Sequence, residues 1–268
     1  MCVSIFRKDD MKSYVGLRKI APLAESYMLP PSLFNPSGKW THTYRSFTLS
    51  FRRLTSSGIL TISREPKSEG EIFLDIKMER PAVSGFTHYT HAEMVCREDA
   101  IATPLQWSVT TKVSESWQDI GYLYSQMTKT VCAEQNDLIF ICGSAKERIA
   151  MPVNYTCRYD LFESLQRAVP SEFNPIRFSC MDEFDEPSSG HCLEFRETVP
   201  VSLGSGLREL NLFIHTGPGF IPAEYWVDSS GRLLFFISGI EVLVLEEENG
   251  EAISFRNDAG VFADAALR

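Results

Sequence analysis

The fold is decided by the stretch Leu207–Leu245, which reads LRELNLFIHTGPGFIPAEYWVDSSGRLLFFISGIEVLVL. Its apolar runs are separated by two breaks. The first break is Gly217-Pro218-Gly219, where glycine permits unusual dihedrals and proline removes a backbone donor. The second is the polar turn Asp228-Ser229-Ser230-Gly231. Strand, tight turn and strand form the hairpin signature, and such strands need further strands to pair their backbones. We therefore predict that the rest of the chain supplies more sheet.

Hydrophobic periodicity supports this prediction elsewhere in the chain. Ile72–Glu79 alternates apolar and charged residues, which is typical of a half-buried antiparallel strand. The apolar phase shifts between Tyr44 and Phe47, which predicts a β-bulge. Ser56-Ser57-Gly58 is predicted to be a turn that leads into the next strand.

One helix is predicted within this β pattern. Residues 159–169 place apolar side chains on one face, and Pro170 ends the segment. The fold class is therefore mostly β: a single antiparallel, strongly curved sheet or barrel of eleven to twelve strands with one inserted helix. We predict an irregular N-terminal arm over residues 1–38, the barrel or half-barrel domain over 39–246, and a C-terminal tail over 247–268.

Composition restricts the classes of function. Of the 268 residues, 44% are hydrophobic and 23% are charged, as in ordinary globular proteins. The net charge of −9 disfavours a nucleic-acid partner. No run of about 18 apolar residues exists, so we predict no transmembrane segment. The charged N-terminus does not look like a secretory signal, which predicts a cytoplasmic protein as written, or an exported one if a leader was removed. The oligomeric state stays open.

The cysteines favour free thiols. The chain has seven, an odd number, and none form a C-x-x-C pair, which argues against a disulfide scaffold and a zinc ribbon. Cys132 and Cys142 flank a predicted turn at residues 135–137. They are therefore the first disulfide candidates if the protein is exported, although buried thiols are the simpler interpretation.

The order of the elements resembles a known architecture. Long antiparallel strands, one helix midway and the closing residues Tyr225-Trp226-Val227-Asp228 and Gly231-Arg232-Leu233-Leu234 resemble lipoprotein-carrier-like (LolA-like) half-barrels and related uncharacterised bacterial barrel families. The resemblance covers residues 40–246 in pattern and brings no catalytic motif. It implies a cavity for an apolar ligand or an acyl chain.

Sequence motifs for metals and cofactors are weak. His88 and His91 form H-x-x-H, but residues three apart on a strand point to opposite faces, so they make a poor metal pair. The acidic segment 182–186 lacks the spacing and glycine of a calcium loop, and 215–219 lacks the spacing of a phosphate loop. We therefore predict no metal and no cofactor.

Three residues are weak catalytic candidates. His42, His88 and Tyr44 would meet inside a barrel if their strands were neighbours. A histidine on the inward face can act as a base, with Glu93 or Glu224 as the carboxylate that orients it. The alternative is a hydrogen-bonded structural histidine.

Three classes of function remain open. The first is the binding or carrying of an apolar or amphipathic small molecule in the barrel. The second is an enzyme, such as a lyase, isomerase or cyclase, and the third is a protein-interaction module. An apolar interior favours the carrier, whereas a histidine within hydrogen-bond reach of a carboxylate or tyrosine favours the enzyme. The predicted ligand contacts are Trp40, Tyr44, His88, Trp107 and Trp226.

Overall fold

The structure is a computed structural model that describes residues 15–30, 33–50, 53–68, 70–81, 85–114 and 125–253. Among these residues, no helix is both long enough and apolar enough to cross a membrane. Strands dominate the described chain. They are β1 Trp40–Ser50, β2 Arg53–Pro66, β3 Glu71–Pro81, β4 Thr87–Arg97, β5 Pro104–Ser114, β6 Ser125–Glu134, β7 Asp137–Cys142, β8 Ala145–Ala150, β9 Tyr155–Cys157, β10 Ile176–Met181, β11 Ser188–Leu203, β12 Gly206–Gly217, β13 Phe220–Asp228, β14 Leu233–Ser238, β15 Glu241–Glu248 and β16 Glu251–Ala252.

The strands form one curved sheet, which confirms the predicted fold class. The strand order runs β8-β7-β6-β5-β4-β3-β2-β1-β15-β14-β13-β12-β11-β10-β9, and β16 pairs with β15. Every pairing is antiparallel except that of β9 with β10. The sheet is not closed by backbone pairing, but it curls far enough for β9 to approach β5. There the Tyr155 hydroxyl donates to the Pro104 carbonyl at 2.6 Å.

The stretch that decides the fold supplies β12 to β15, and both predicted breaks are turns. Gly219 adopts φ +67 between β12 and β13, a conformation that suits glycine. Asp228 closes the other turn, because its Oδ1 accepts from the backbone N–H groups of Ser230 and Arg232 at 2.9 and 2.8 Å. Local turn chemistry therefore fixes this part of the sheet.

The predicted bulge is present, but the turn predicted next to it is wrong. The pairing of β1 with β2 shifts between Ser46 and Phe47. Ser56-Ser57-Gly58 lies inside β2, where the Ser57 and Ser46 hydroxyls lie 2.9 Å apart. A Cβ at position 58 would lie 2.0 Å from the Glu79 carbonyl oxygen, so Gly58 lets two strands approach closely. A bulge and a turn use the same small residues, which explains the error.

The inserted helix is confirmed, but it is shorter than predicted and buried all round. It runs Asp160–Ser164 as α3 and continues as 3-10 turns over Leu165–Arg167 and Pro170–Glu172. Even the carboxylate of Glu163 is fully buried. Its charge is compensated by Arg64, whose Nε donates to Glu163 Oε1 at 2.7 Å. The helix therefore fills the concave side of the sheet.

Two short helices precede the sheet, α1 Val15–Lys19 and α2 Ala21–Ser26. Tyr27, at the end of α2, packs edge-on against Phe235 with ring centroids 5.2 Å apart. The predicted domain boundaries stay a prediction. The strand β15 ends at Glu248, two residues past the predicted boundary, and residues 254–268 lie outside the described chain.

The prediction of free thiols is confirmed for the cysteines among the described residues, whereas the suggested pairing of Cys132 with Cys142 is not. Cys96, Cys132, Cys142, Cys157, Cys180 and Cys192 are free thiols, and Cys2 lies outside the described residues. The idea that Cys132 and Cys142 face each other is wrong. The β6–β7 register places Cys132 opposite Ile139 and Cys142 opposite Lys129. The predicted turn is present at 135–136, but the two cysteines lie at unequal distances from it.

Candidate functional site

Three of the predicted site residues come together on β1. The Trp40 and His42 rings stack with centroids 4.6 Å apart, and the Tyr44 hydroxyl lies 3.4 Å from His42 Nδ1. All three side chains are buried. The nearby carboxylate is Glu248, 3.6 Å from His42 Nε2, rather than the predicted Glu93 or Glu224. Sequence reasoning missed Glu248 because it lies in the predicted tail.

This β1 cluster is packed rather than open. Burial lowers the pKa of His42, although the Glu248 carboxylate acts in the opposite direction. Glu248 is itself held by Arg232, which donates to both of its carboxylate oxygens. The Phe34 ring lies 5.0 Å from the His42 ring. The geometry therefore fits a neutral histidine held in the core.

The other predicted contacts lie elsewhere. Trp107 is buried on β5 against Phe140, with ring centroids 6.3 Å apart. His88 is exposed on β4 opposite Arg80, at the rim of the sheet. Trp226 is buried, but it lies on the opposite face of β13 from Tyr225, and it donates to Glu224 Oε2 at 3.0 Å. The same carboxylate accepts from the backbone N–H of Gly16 in α1, so Trp226 lies beneath the N-terminal helix.

The predicted aromatic set is therefore not one pocket. Tyr225, rather than Trp226, faces the helix α3, where its ring meets Phe162 at 5.7 Å. Because β13 is buried on both faces, the two-residue period of the strand did not decide which side chain faces which layer. The ligand-binding role of these residues stays a prediction.

A different cluster combines groups with ligand chemistry. Cys180 on β10, His191 on β11 and His215 on β12 each offer one ligand atom, and these atoms all lie within 4.8 Å of one another. The three residues are buried. His191 Nδ1 lies 2.8 Å from His215 Nε2, so the two imidazoles share a hydrogen bond. We call these three residues the thiol–imidazole cluster.

The local fold explains how the two imidazoles approach. The antiparallel register places Leu193 opposite His215, which brings His191 next to Gly217. A Cβ at position 217 would lie 2.3 Å from His191 Nδ1, so only glycine leaves room for the ring. Phe220 packs on the His215 ring, with centroids 4.3 Å apart. The imidazoles are therefore held in an apolar surrounding.

Burial sets the protonation of the thiol–imidazole cluster. It lowers the pKa of His215 to about 3, and the charges of His191 and Arg158 act in the same direction. Burial also lowers the pKa of His191 and raises the pKa of the Cys180 thiol to about 12. At neutral pH the imidazoles are neutral, which is the form that binds metal ions. The thiol needs a bound cation to lose its proton.

The donor set fits a transition-metal ion. Thiolate and imidazole are the ligands of Zn²⁺, with bonds of about 2.3 and 2.0 to 2.1 Å. Tetrahedral coordination then requires ligand atoms roughly 3.3 to 3.6 Å apart. The cluster atoms lie within 4.8 Å of one another, so rotation of the side chains by small amounts brings them into that range. His215 Nδ1 has no hydrogen-bond partner in the described part of the chain.

The cluster has an edge near solvent. The exposed Ser188 places its hydroxyl 3.0 Å from His191 Nε2, and the same hydroxyl donates to the Cys180 carbonyl at 3.3 Å. Three protein ligands with a fourth position open to water or a small molecule are typical of non-structural zinc sites. His191 is therefore the member of the cluster whose second ring nitrogen contacts a surface residue.

Sequence reasoning missed the thiol–imidazole cluster. The spacing between its members matches no short metal motif, because the residues come from three strands. One signal was available. The Gly204-Ser205-Gly206 turn folds β11 back on β12, and that hairpin brings two histidines far apart in sequence onto neighbouring strands.

The protein is a large, open, mostly antiparallel sheet. The thiol–imidazole cluster is buried on three neighbouring strands near one edge of that sheet. No family model matches the chain, and no curated protein matches it. Among solved structures, the chain is similar to a β-barrel-like protein of a domain of unknown function from Brucella abortus. The match has a TM-score of 0.49 and 8% sequence identity, and it covers 82% of this chain and 99% of that chain. The particular relation to lipoprotein carriers stays a prediction.

Proposed function

We propose that this protein binds Zn²⁺ through Cys180, His191 and His215. The observation that supports the proposal is the approach of three buried ligand atoms, within 4.8 Å, from three different strands. Structural histidines in an apolar core usually hydrogen-bond to oxygen. Here the two imidazoles bond to each other, and one nitrogen of the pair is left without a partner among the described residues. Zinc would take the place of the hydrogen bond between the rings, and the shared proton would move to another ring nitrogen, such as His215 Nδ1.

The chemistry of the cluster supports a cation rather than another ligand. Binding releases the proton of the Cys180 thiol, so affinity rises with pH. The two imidazoles stay neutral, because the proton shared between them moves to another ring nitrogen such as the unpartnered His215 Nδ1. The resulting thiolate and neutral imidazoles are soft or borderline ligands, which suit Zn²⁺ and exclude Mg²⁺ or Ca²⁺ as good competitors. Phe178 and Phe220 surround the imidazoles and keep the dielectric constant low, which strengthens the bond to the ion.

Equilibrium dialysis of the metal-free full chain against Zn²⁺ tests the proposal. We expect one ion per chain for the wild type. Cys180→Ala and His215→Ala should each weaken binding by more than about 100-fold, because loss of a mere supporting hydrogen bond already costs about 10- to 100-fold. Co²⁺ offers a second readout, since thiolate ligation gives it a charge-transfer absorption that Cys180→Ala should remove.

The chain supplies a matched control. Cys192 is also a buried thiol and follows His191 directly, but the two-residue strand period turns it to the other face of β11. Cys192→Ala should leave zinc binding unchanged. Equal binding by wild type, Cys180→Ala and His215→Ala would contradict the proposal, because it would place the ion elsewhere.

The binding of an apolar or amphipathic small molecule stays a prediction from the sequence. The β1 cluster meets the sequence criterion for an enzyme, because His42 lies within reach of a tyrosine hydroxyl at 3.4 Å. Its full burial among aromatic rings supports a structural role instead. The zinc proposal requires neither interpretation.

A further inference from the structure

Two arginines meet at one end of the concave face. Arg80 on β3 and Arg158, two residues before α3, each donate to the hydroxyl of Tyr159, at 3.2 and 3.1 Å. Both also pair with Glu241, at 3.5 and 3.3 Å. Two guanidinium groups held this close repel each other, so the arrangement requires negative charge between or beside them.

Arg158 is built into the core rather than left on the surface. Its side chain is only 9% exposed, and its guanidinium lies 5.1 Å from the Tyr159 ring centroid and 5.6 Å from that of Phe236. Its Nε has no hydrogen-bond partner among the described residues. The nearest acidic oxygen on that side is Asp182 Oδ1 at 3.8 Å, which is too far for a hydrogen bond. The Nε–H group of Arg158 is therefore a buried donor without an acceptor among the described residues.

The segment 182–187, here called the acidic loop, lies against these arginines. Glu183 accepts from Arg80 Nη1 at 2.6 Å, and Asp185 accepts from Lys129 at 2.6 Å. The loop is anchored by Phe184, a buried ring 5.6 Å from that of Tyr159. Glu183 itself is 57% exposed, so its carboxylate is held mainly by this one arginine.

A small cleft opens beside Arg80. Arg80, Tyr159 and Glu241 line it on the polar side, and the apolar side is formed by Ile59, Met78 and Leu243. The cleft has room for about one water molecule. The exposed His88 lies directly opposite Arg80 on the neighbouring strand, at the rim of the same region.

We propose that Arg80 and Arg158 form a binding site for a phosphoryl group, and that the carboxylate of Glu183 holds the place of that group in the structure. A guanidinium presents a planar fork of N–H donors that matches phosphate oxygens. A phosphoryl group on Arg80 also lies close to the guanidinium of Arg158, because both arginines donate to the same Tyr159 hydroxyl.

Displacement of Glu183 costs little. The carboxylate belongs to a largely exposed ion pair, and such pairs contribute weakly to stability because water solvates both charges. Glu241 is less exposed and contacts both arginines, so it stays as the counter-charge that keeps the pair together. The site therefore has a fixed carboxylate and an exchangeable one.

Isothermal titration of the full chain with inorganic phosphate tests the proposal, with acetate as a parallel titrant. We expect binding on the order of millimolar for phosphate, as for a few charge-assisted hydrogen bonds in a wet cleft, and weaker binding for acetate. Glu183→Gln should tighten phosphate binding by roughly 2- to 5-fold, because it removes the competing carboxylate. Arg80→Gln should weaken it by at least about 10-fold.

A matched variant separates this site from any exposed arginine. Arg148 on β8 is also exposed and ion-paired, to Asp137 at 3.0 Å, but it lies far along the sheet order from β3. Arg148→Gln should leave phosphate binding unchanged. The proposal is overturned if neither wild type nor Glu183→Gln binds phosphate, or if Arg148→Gln weakens binding as much as Arg80→Gln. Neither outcome decides whether the thiol–imidazole cluster binds zinc, because that proposal rests on different residues.

Discussion

Replacement of Glu163 by glutamine tests how α3 is held in the sheet. Glu163 and Arg64 are both fully buried, and their side chains lie 2.7 Å apart, between α3 and β2. Arg167 also donates to the same carboxylate, at 2.6 and 2.9 Å. Glutamine keeps the shape of the side chain but removes its charge, so two cations lose their shared counter-ion.

The structure supports a large cost for this change. Breaking a buried ion pair from one side typically costs about 3 to 5 kcal/mol, because the remaining charge stays desolvated. Arg64 keeps Glu98 and the Ser37 and Gly38 carbonyls as partners, so we expect Glu163→Gln to fall near the lower limit, about 3 kcal/mol. The expected result is a lower urea midpoint with an unchanged slope.

Glu65→Gln is the control, since it removes the charge of a glutamate that is also ion-paired, to Lys39 at 2.8 Å, but at the surface. Those side chains are 55% and 72% exposed, so water solvates both charges and the control should leave the urea midpoint close to that of the wild type. If the two variants differ by less than about 1 kcal/mol in urea unfolding, the buried ion pair does not stabilise α3 as argued. A changed slope would instead mean that the unfolding is no longer two-state.

Four further changes have defined outcomes. Gly217→Ala should displace the His191 ring, lower the unfolding free energy by about 1 to 3 kcal/mol and weaken Zn²⁺ binding, as measured by urea unfolding and dialysis. Trp226→Ala should cost about 3 to 5 kcal/mol, because the ring is fully buried; a loss below about 1 kcal/mol would contradict its packing. The lowered pKa of His42 means that the unfolded state gains a proton first, so stability falls as pH drops below about 6.5, and His42→Gln should reduce that slope on the acid side of about pH 6.5, as measured by urea unfolding. Alkylation of unreduced, denatured protein should label all seven cysteines, and any pair that resists labelling would reveal a disulfide.

The sequence predicted the parts of the fold that local chemistry controls. The turn at Asp228 and the bend at Gly219 depend on residues within four positions of each other, and both appear where they were expected. The alternation over 72–79 forms a half-buried strand, as its period requires. Local rules also placed the helix at Asp160.

The sequence did not predict the features that depend on contacts between the sheet and the elements packed against it, or on the register of several strands. Tyr225 and Trp226 are neighbours on a strand buried on both faces, so hydrophobicity could not tell which of them faces α3. Glu163 fits the polar side of a surface helix, and only the buried Arg64 on a distant strand explains its place. The thiol–imidazole cluster depends on the register of β10, β11 and β12 together, which no single segment encodes.

Both candidate sites meet at the acidic loop. The loop begins two residues after Cys180 and ends just before Ser188, whose hydroxyl contacts His191, so its two ends are fixed by the thiol–imidazole cluster. Its middle is fixed by the Arg80 ion pair and by the buried Phe184 ring. Movement of Glu183 away from Arg80 therefore has to be accommodated at residues that adjoin the thiol–imidazole cluster. Arg158 also acts electrostatically on His215, because its positive charge contributes to the lowered pKa of that imidazole. By linkage, any effect of one bound ion on the other must be equal in both directions. The short connection between β10 and β11 is therefore the element through which the two sites would influence each other.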